Sequence, residues 1–148
     1  MESAVTLSEA VTPELLEACL RLRREVFTGE LGVPAEVERD EHDRPGDPCR
    51  QFLIVREGEG IGAVRCLPMP DRTVRLQRFC IRRACRGKSA GRQTLRALEA
   101  LFRREGFTAV ELDAKCSAQG FYAACGYETV SGVFEEAGVP HVAMRRAL

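Results

Sequence analysis

Residues 74–92, VRLQRFCIRRACRGKSAGR, pass from an alternating apolar run, through a basic turn holding Gly87 and Gly91, directly into a stretch striped by Leu95, Leu98, Leu101 and Phe102. A strand that feeds an amphipathic helix through small residues commits the chain to a mixed α/β fold. It also makes an anion trap. Backbone N–H groups at such a turn converge on one point, and the helix dipole adds about half a positive charge there. Arg86, Lys88 and Arg92 add full charges.

The spacing excludes two common phosphate-binding motifs. A P-loop needs glycine five positions before Gly87-Lys88-Ser89, and Arg82 stands there; the dinucleotide pattern G-x-G-x-x-G fails because Gly87 is followed by Ser89 and then Gly91. The turn instead resembles the acyl-CoA signature Q/R-x-x-G-x-G/A of the GNAT superfamily of N-acetyltransferases, with Arg86 first and Gly91 last. Ser89 replaces the family's usual glycine. Serine is small and its hydroxyl can donate to a phosphate, so the exchange is acceptable provided the backbone there does not need a positive φ.

Three further blocks carry the resemblance, in order along the chain. Leu112–Tyr127, LDAKCSAQGFYAACGY, is similar to the family's A-x-x-F-Y-x-x-x-G-[FY] pattern through Ala118, Phe121, Tyr122, Gly126 and Tyr127. Val26–Asp43 and Val133–Met144 resemble the ElaA-like branch. The resemblance implies one N-acetyltransferase domain over residues 1–148. It also implies a mixed, mostly antiparallel sheet flanked by helices, with the fourth and fifth strands splayed apart.

Composition sets the remaining bounds. With 148 residues the chain can bury one core. No run of eighteen apolar residues is long enough to span a bilayer, and MESAVTLSEAVTPE lacks the basic start and apolar core of a signal peptide. Seven cysteines without a C-x-x-C pair suggest free thiols in a reducing compartment, so a cytoplasmic protein is expected. Cys80 could be read as a nucleophile, but its strand neighbours favour a buried core residue.

The formal net charge is zero, yet residues 72–104 hold eleven Arg and Lys with one acid, Glu99, whereas residues 29–60 hold nine acids with four Arg. This segregation suits an anionic cofactor on one side and a cationic acceptor on the other. Among the arginines only Phe79 and Phe102 supply aromatic rings, so nucleic acid is not the expected partner. A membrane is not expected either.

Periodicity predicts a strand around Ala4–Leu7, then a helix opened by Thr12 as N-cap and Pro13 and closed near Thr28-Gly29. A long polar loop to Pro48 follows, read as a functional wall or lid. Strands are predicted at Gln51–Arg56, Ile61–Leu67, Val74–Ile81, Ala109–Asp113, Val130–Phe134 and His141–Arg145, with a helix ending at Gly106 and a short one from Ser117 to Cys125.

The resemblance assigns roles to particular residues. The pantetheine arm of acetyl-CoA would lie along Phe79, Cys80 and Ile81, with the backbone N–H of Phe79 or Ile81 as oxyanion donor. The diphosphate would sit on Arg86, Gly87, Lys88, Ser89, Ala90, Gly91 and Arg92. Tyr122 is the candidate acid for the leaving thiolate. A base is to be sought among Glu111, Asp113, Glu30 and the acids of Glu36–Asp43, or at His141; His42 is read as merely exposed. Direct transfer to a small-molecule or peptide amine is implied, with no metal and no covalent intermediate, and a homodimer fits the fold by analogy. The alternative is a non-catalytic acyl-CoA-binding or interaction module of the same fold.

Overall fold

The computed structural model describes residues 3–148. Its spine is one eight-stranded sheet in the order β1 (Val5–Glu9), β2 (Arg50–Arg56), β3 (Glu59–Met69), β4 (Thr73–Ile81), β5 (Ala109–Lys115), β8 (Val139–Ala147), β6 (Glu128–Thr129), with β7 (Phe134–Glu136) also paired to β8. All pairings are antiparallel except β4 with β5. That parallel pair needs a crossover, supplied by α3 (Ala90–Arg104).

α1 (Pro13–Arg23) begins as the sequence dictates. The Thr12 hydroxyl accepts from the Leu15 N–H at 3.2 Å, and Pro13 occupies the first turn, where its missing N–H costs nothing. The helix then continues as a π-helix over Arg24–Glu30, a register change that the apolar spacing alone does not announce. α1 buries Cys19, and the π-helix buries Val26, against Leu53, Ala63 and Cys80 on one sheet face. The other face packs Leu95, Leu98 and Phe102 of α3 onto Val64, Cys66, Val74, Leu76, Val110 and Leu112. Each such fully buried aliphatic side chain contributes about 1.5–3 kcal/mol.

The β2–β3 hairpin turns on Glu57 and Gly58 alone, both at positive φ (52° and 78°), which makes the hairpin tighter than the four-residue connection expected. The long polar segment contains α2 (Ala35–Glu38) and a 3₁₀ turn, Glu41–Asp43. The strand expected at Val130–Phe134 is displaced. Residues 130–133 lie between β6 and β7, where Val130 N–H donates to Ala143 O (2.9 Å) and Ser131 Oγ accepts from Ala143 N–H (2.8 Å). A serine side chain thus takes over a ladder bond, and Val130 and Val133 are exposed rather than buried. α4 (Gln119–Ala124) follows a 3₁₀ turn after β5. Among the described residues, no helix is long and apolar enough to cross a membrane.

Candidate active site

β4 and β5 pair over only four positions, Thr73↔Ala109 to Leu76↔Leu112, after which β4 runs on to Ile81 and β5 to Lys115 without a shared ladder. The sheet forks there. On the β3 side the β4 ladder shifts register: Ala63 faces Cys80 and Arg65 faces Gln77, so Val64 stands opposite both Arg78 and Phe79. Arg78 takes the extra position with φ of 51°, a left-handed conformation that a β-bulge imposes. Beyond the bulge, Arg82 N–H donates to Ile61 O at 2.7 Å. By the alternation of an antiparallel ladder, the adjacent Gly62↔Ile81 pair turns its main-chain groups outward, which on β4 means into the fork. Gly62 has to be glycine, because a Cβ there would stand 2.2 Å from Cys80 O.

The basic turn follows immediately. A 3₁₀ turn, Arg83–Cys85, leads through Gly87 (φ 79°) and Ser89 (φ 56°) into α3, whose first turn contains no acid. Ser89 therefore does occupy a positive-φ position, the condition under which glycine would have been the easier residue. Its hydroxyl accepts from Gln93 Nε2 at 2.9 Å. Gly87, Lys88, Ser89 and Arg92 are exposed, while Ala90 is buried. The fifteen-residue α3 leaves the N–H groups of its first turn without intrahelical acceptors, so the turn fits a diphosphate. Gly91 has a different duty: a Cβ there would meet the Phe121 ring at 3.0 Å, so its absence lets α4 rest on the start of α3.

Arg86, read as a phosphate contact, is held elsewhere. Its guanidinium grips Glu30 with two bonds (2.7 and 2.6 Å) and donates from Nε to Ile81 O (2.9 Å). Glu30, read as part of an acceptor wall, is instead the partner that keeps Arg86 in place, and that contact lowers its carboxyl pKa.

Tyr122 packs beside the fork on the α3 side of the sheet, its ring edge-on to Phe121 (5.0 Å) and Tyr127 (5.9 Å). Burial pushes the phenol up to about 12. Cys80 is 5 % exposed and faces α1, and burial pushes its thiol up to about 12, so it lacks the thiolate a nucleophile needs. Phe79 and Ile81 pack toward the opposite face.

Glu111 and Asp113 do share a side, as alternation predicts, and Arg75 bridges them at 3.2 and 2.9 Å, with Arg145 3.7 Å from Glu111. Glu111 sits within the paired part of β4–β5, on the sheet face away from Tyr122, so the structure does not bring these two together. His141 lies on the Glu111 face, opposite Lys115. It is 8 % exposed, stacked on Phe134, with Nδ1 2.7 Å from Val139 O and Nε2 3.5 Å from Glu136. Because a carbonyl can only accept, Nδ1 carries the proton and Nε2 of the neutral ring is the basic nitrogen. His42 is half-buried, with Nδ1 3.1 Å from Asp47, rather than simply exposed.

The acids of the long segment are mostly turned inward. Arg23, fully buried, takes Asp43 with two bonds (2.6 and 3.0 Å) and Glu38 with another (2.9 Å); Arg65, 1 % exposed, takes Asp40 with two (2.6 and 3.0 Å) and Asp43 at 3.1 Å. Gln51 and Gln77 complete the cluster. Burial alone would raise the Asp43 carboxyl; the hydrogen bonds from Arg23, from the Asp40 N–H and from Gln51 hold it far below the usual range. This network clamps residues 35–43 over the sheet. It corrects the picture of an acidic wall facing a cationic acceptor, since Glu38, Asp40 and Asp43 are neutralised internally. Arg65 of β3 and Arg78 of β4 were a possible signal, but their partners in the segment lie 22 to 40 positions away in sequence.

Comparison with known proteins agrees with this geometry. A family described as "Acetyltransferase (GNAT) domain" matches residues 11–148. Escherichia coli ElaA is 33% identical over 134 residues, covering 88% of this chain and 86% of its own. A structure from Lactobacillus plantarum assigned as an N-acetyltransferase superposes with a TM-score of 0.90 at 35% identity, covering 98% and 99% of the two chains. An acyl-CoA N-acyltransferase from Pseudomonas aeruginosa gives 0.79 at 30% identity, covering 97% and 100%. With its forked β4–β5 pair and the basic turn that opens α3, the chain belongs to the GNAT acetyltransferase family, in the ElaA-like branch, and is an N-acetyltransferase.

Proposed function

We propose that the protein transfers an acetyl group from acetyl-CoA to a primary amine of a small molecule or lysine-like acceptor, directly within a ternary complex. The observation that carries this reading is the continuity of the fork with the anion turn: an open strand edge at Phe79–Ile81 leads within a few residues to the exposed turn Gly87-Lys88-Ser89 and the start of α3. The similarity to the Pseudomonas aeruginosa acyl-CoA N-acyltransferase supports the same cofactor class.

When bound, acetyl-CoA supplies the acyl group as an activated thioester. Of the outward main-chain groups of Ile81, the carbonyl already accepts from Arg86 Nε, and the N–H is the better placed of the two candidate oxyanion donors. Arg86 serves the turn by bracing it against Glu30. A phenol raised to about 12 stays protonated at neutral pH, so Tyr122 acts by donating a hydrogen bond to the departing sulfur rather than by losing its proton outright. His141 Nε2 is a more suitable proton acceptor than Glu111, whose carboxylate is occupied by Arg75.

Two measurements test this. Calorimetric titration with acetyl-CoA and CoA is expected to saturate, and an amine panel monitored by thiol release is expected to give turnover. Saturable CoA binding with no thiol release on any amine would favour the non-catalytic acyl-CoA-binding module. Absence of binding would overturn both readings.

A further inference from the structure

Three guanidinium groups crowd the same sheet face, and they are unequally served. Arg23 and Arg65 hold the close, two-pronged contacts with Asp43 and Asp40. Arg78 is left with the Glu38 carbonyl at 3.0 Å and two longer approaches, 3.4 Å to Glu38 and 3.5 Å to Asp40. Its position differs too. Arg65 is sealed under residues 35–43, whereas Arg78, one strand nearer the fork, keeps 30% of its side chain exposed. Arg78 stands two residues beyond Leu76, the last β4 residue paired to β5, and so borders the fork where the acceptor must approach.

From this arrangement we infer that Arg78 binds a carboxylate carried by the acceptor, so that the preferred substrates are amines that also bear a carboxylate group. The inference rests on the acetyl-transfer reading above and names the substrate class of that same site. Planar guanidinium and carboxylate groups match in two parallel hydrogen bonds, and Arg78 has no such pair among its neighbours, the nearest carboxylate oxygens standing at 3.4 and 3.5 Å. The electrostatics agree: burial, together with the charges of Arg65 and Arg23, lowers the Arg78 pKa, whereas those of Arg23, Arg75, Arg82 and Arg86 are raised. A left-handed backbone at a non-glycine residue costs on the order of 1 kcal/mol, and here the bulge places it on the strand that borders the fork. The same face carries Asp113 and Glu111 against Arg75 and Arg145, two carboxylates to two guanidiniums, a balanced surface that offers a bare polycation no net attraction.

The test compares α- and ω-amino acids with their carboxamides, matched in length, by thiol release at saturating acetyl-CoA. At least one amino acid is expected to exceed its carboxamide tenfold or more in kcat/KM. Arg78→Gln is expected to raise KM for that amino acid at least tenfold, while KM for the carboxamide, kcat and the CoA dissociation constant stay within about twofold, and Arg78→Lys is expected to restore part of the loss. If no amino acid is favoured over its carboxamide, or if Arg78→Gln weakens acid and amide alike, the assignment is wrong and Arg78 only braces residues 35–43. Failure to bind CoA in calorimetry would instead strike the acetyl-transfer reading itself.

Discussion

At single positions, the turn ahead of α3 shows how a small departure from a family pattern is absorbed. Ser89 stands at φ 56°, where an L-residue costs about 1–2 kcal/mol relative to right-handed backbone, and Gln93 offsets part of this through its bond to the hydroxyl. Ser89→Gly is therefore expected to keep the melting temperature or raise it by up to about 3 °C, with CoA affinity within twofold; a fall of 4 °C or more would assign the position's value to the hydroxyl. Tyr122→Phe removes only the phenolic donor. It is expected to lower kcat by about 10- to 100-fold with KM for acetyl-CoA nearly unchanged, and the wild-type rate profile should show no falling limb from this phenol until pH approaches about 12. A kcat within threefold of wild type would limit Tyr122 to its contacts with Phe121 and Tyr127. Arg86 teaches the opposite lesson about motifs. The residue type was legible, but its partner Glu30 lies 56 positions upstream, and nothing local marks the pairing.

Among elements, what is local was readable and what is assembled was not. The Thr12-Pro13 start of α1, the fork-bearing strand and the Gly106 stop of α3 follow from neighbouring residues, and each was placed within a few positions. The π-helix of Arg24–Glu30 keeps a helical apolar pattern, so sequence spacing shows a helix without showing its altered register. Val130–Phe134 looked like a strand because it is apolar, yet Ser131 supplies the bond to β8 and the valines face outward. The clamp over residues 35–43 draws on α1, β2, β3 and β4 at once, which no linear pattern reveals. Its strength is testable. Asp43→Asn leaves Arg23 and Arg65 buried with a missing counter-charge, and is expected to cost about 3–5 kcal/mol in urea unfolding. Glu36→Gln, an exposed change on the same segment, should stay within about 0.5 kcal/mol.

For the molecule as a whole, the clamp predicts how stability depends on acid. Asp40 and Asp43 titrate below their ordinary values when folded and near 3.9 when unfolded. Their contribution is thus complete above about pH 5 and drains away as pH falls through the folded values, because the unfolded chain then binds more protons. Melting temperature should hold between pH 6 and 8 and decline steeply below about pH 4; an Asp43→Asn protein, already weakened, should show a shallower decline. A flat profile down to pH 3 would mean that the clamp adds no net stability. One contact also joins the two ends of the site. The Phe121 ring rests where a side chain on Gly91 would begin, and Tyr122 is the next residue along α4. A methyl added at Gly91 would press on the tip of the exposed Phe121 ring and push it aside by a few tenths of an ångström, so a change made at the phosphate end should be felt, modestly, at the sulfur end. In a Gly91→Ala protein, kcat and acetyl-CoA affinity are expected to fall together.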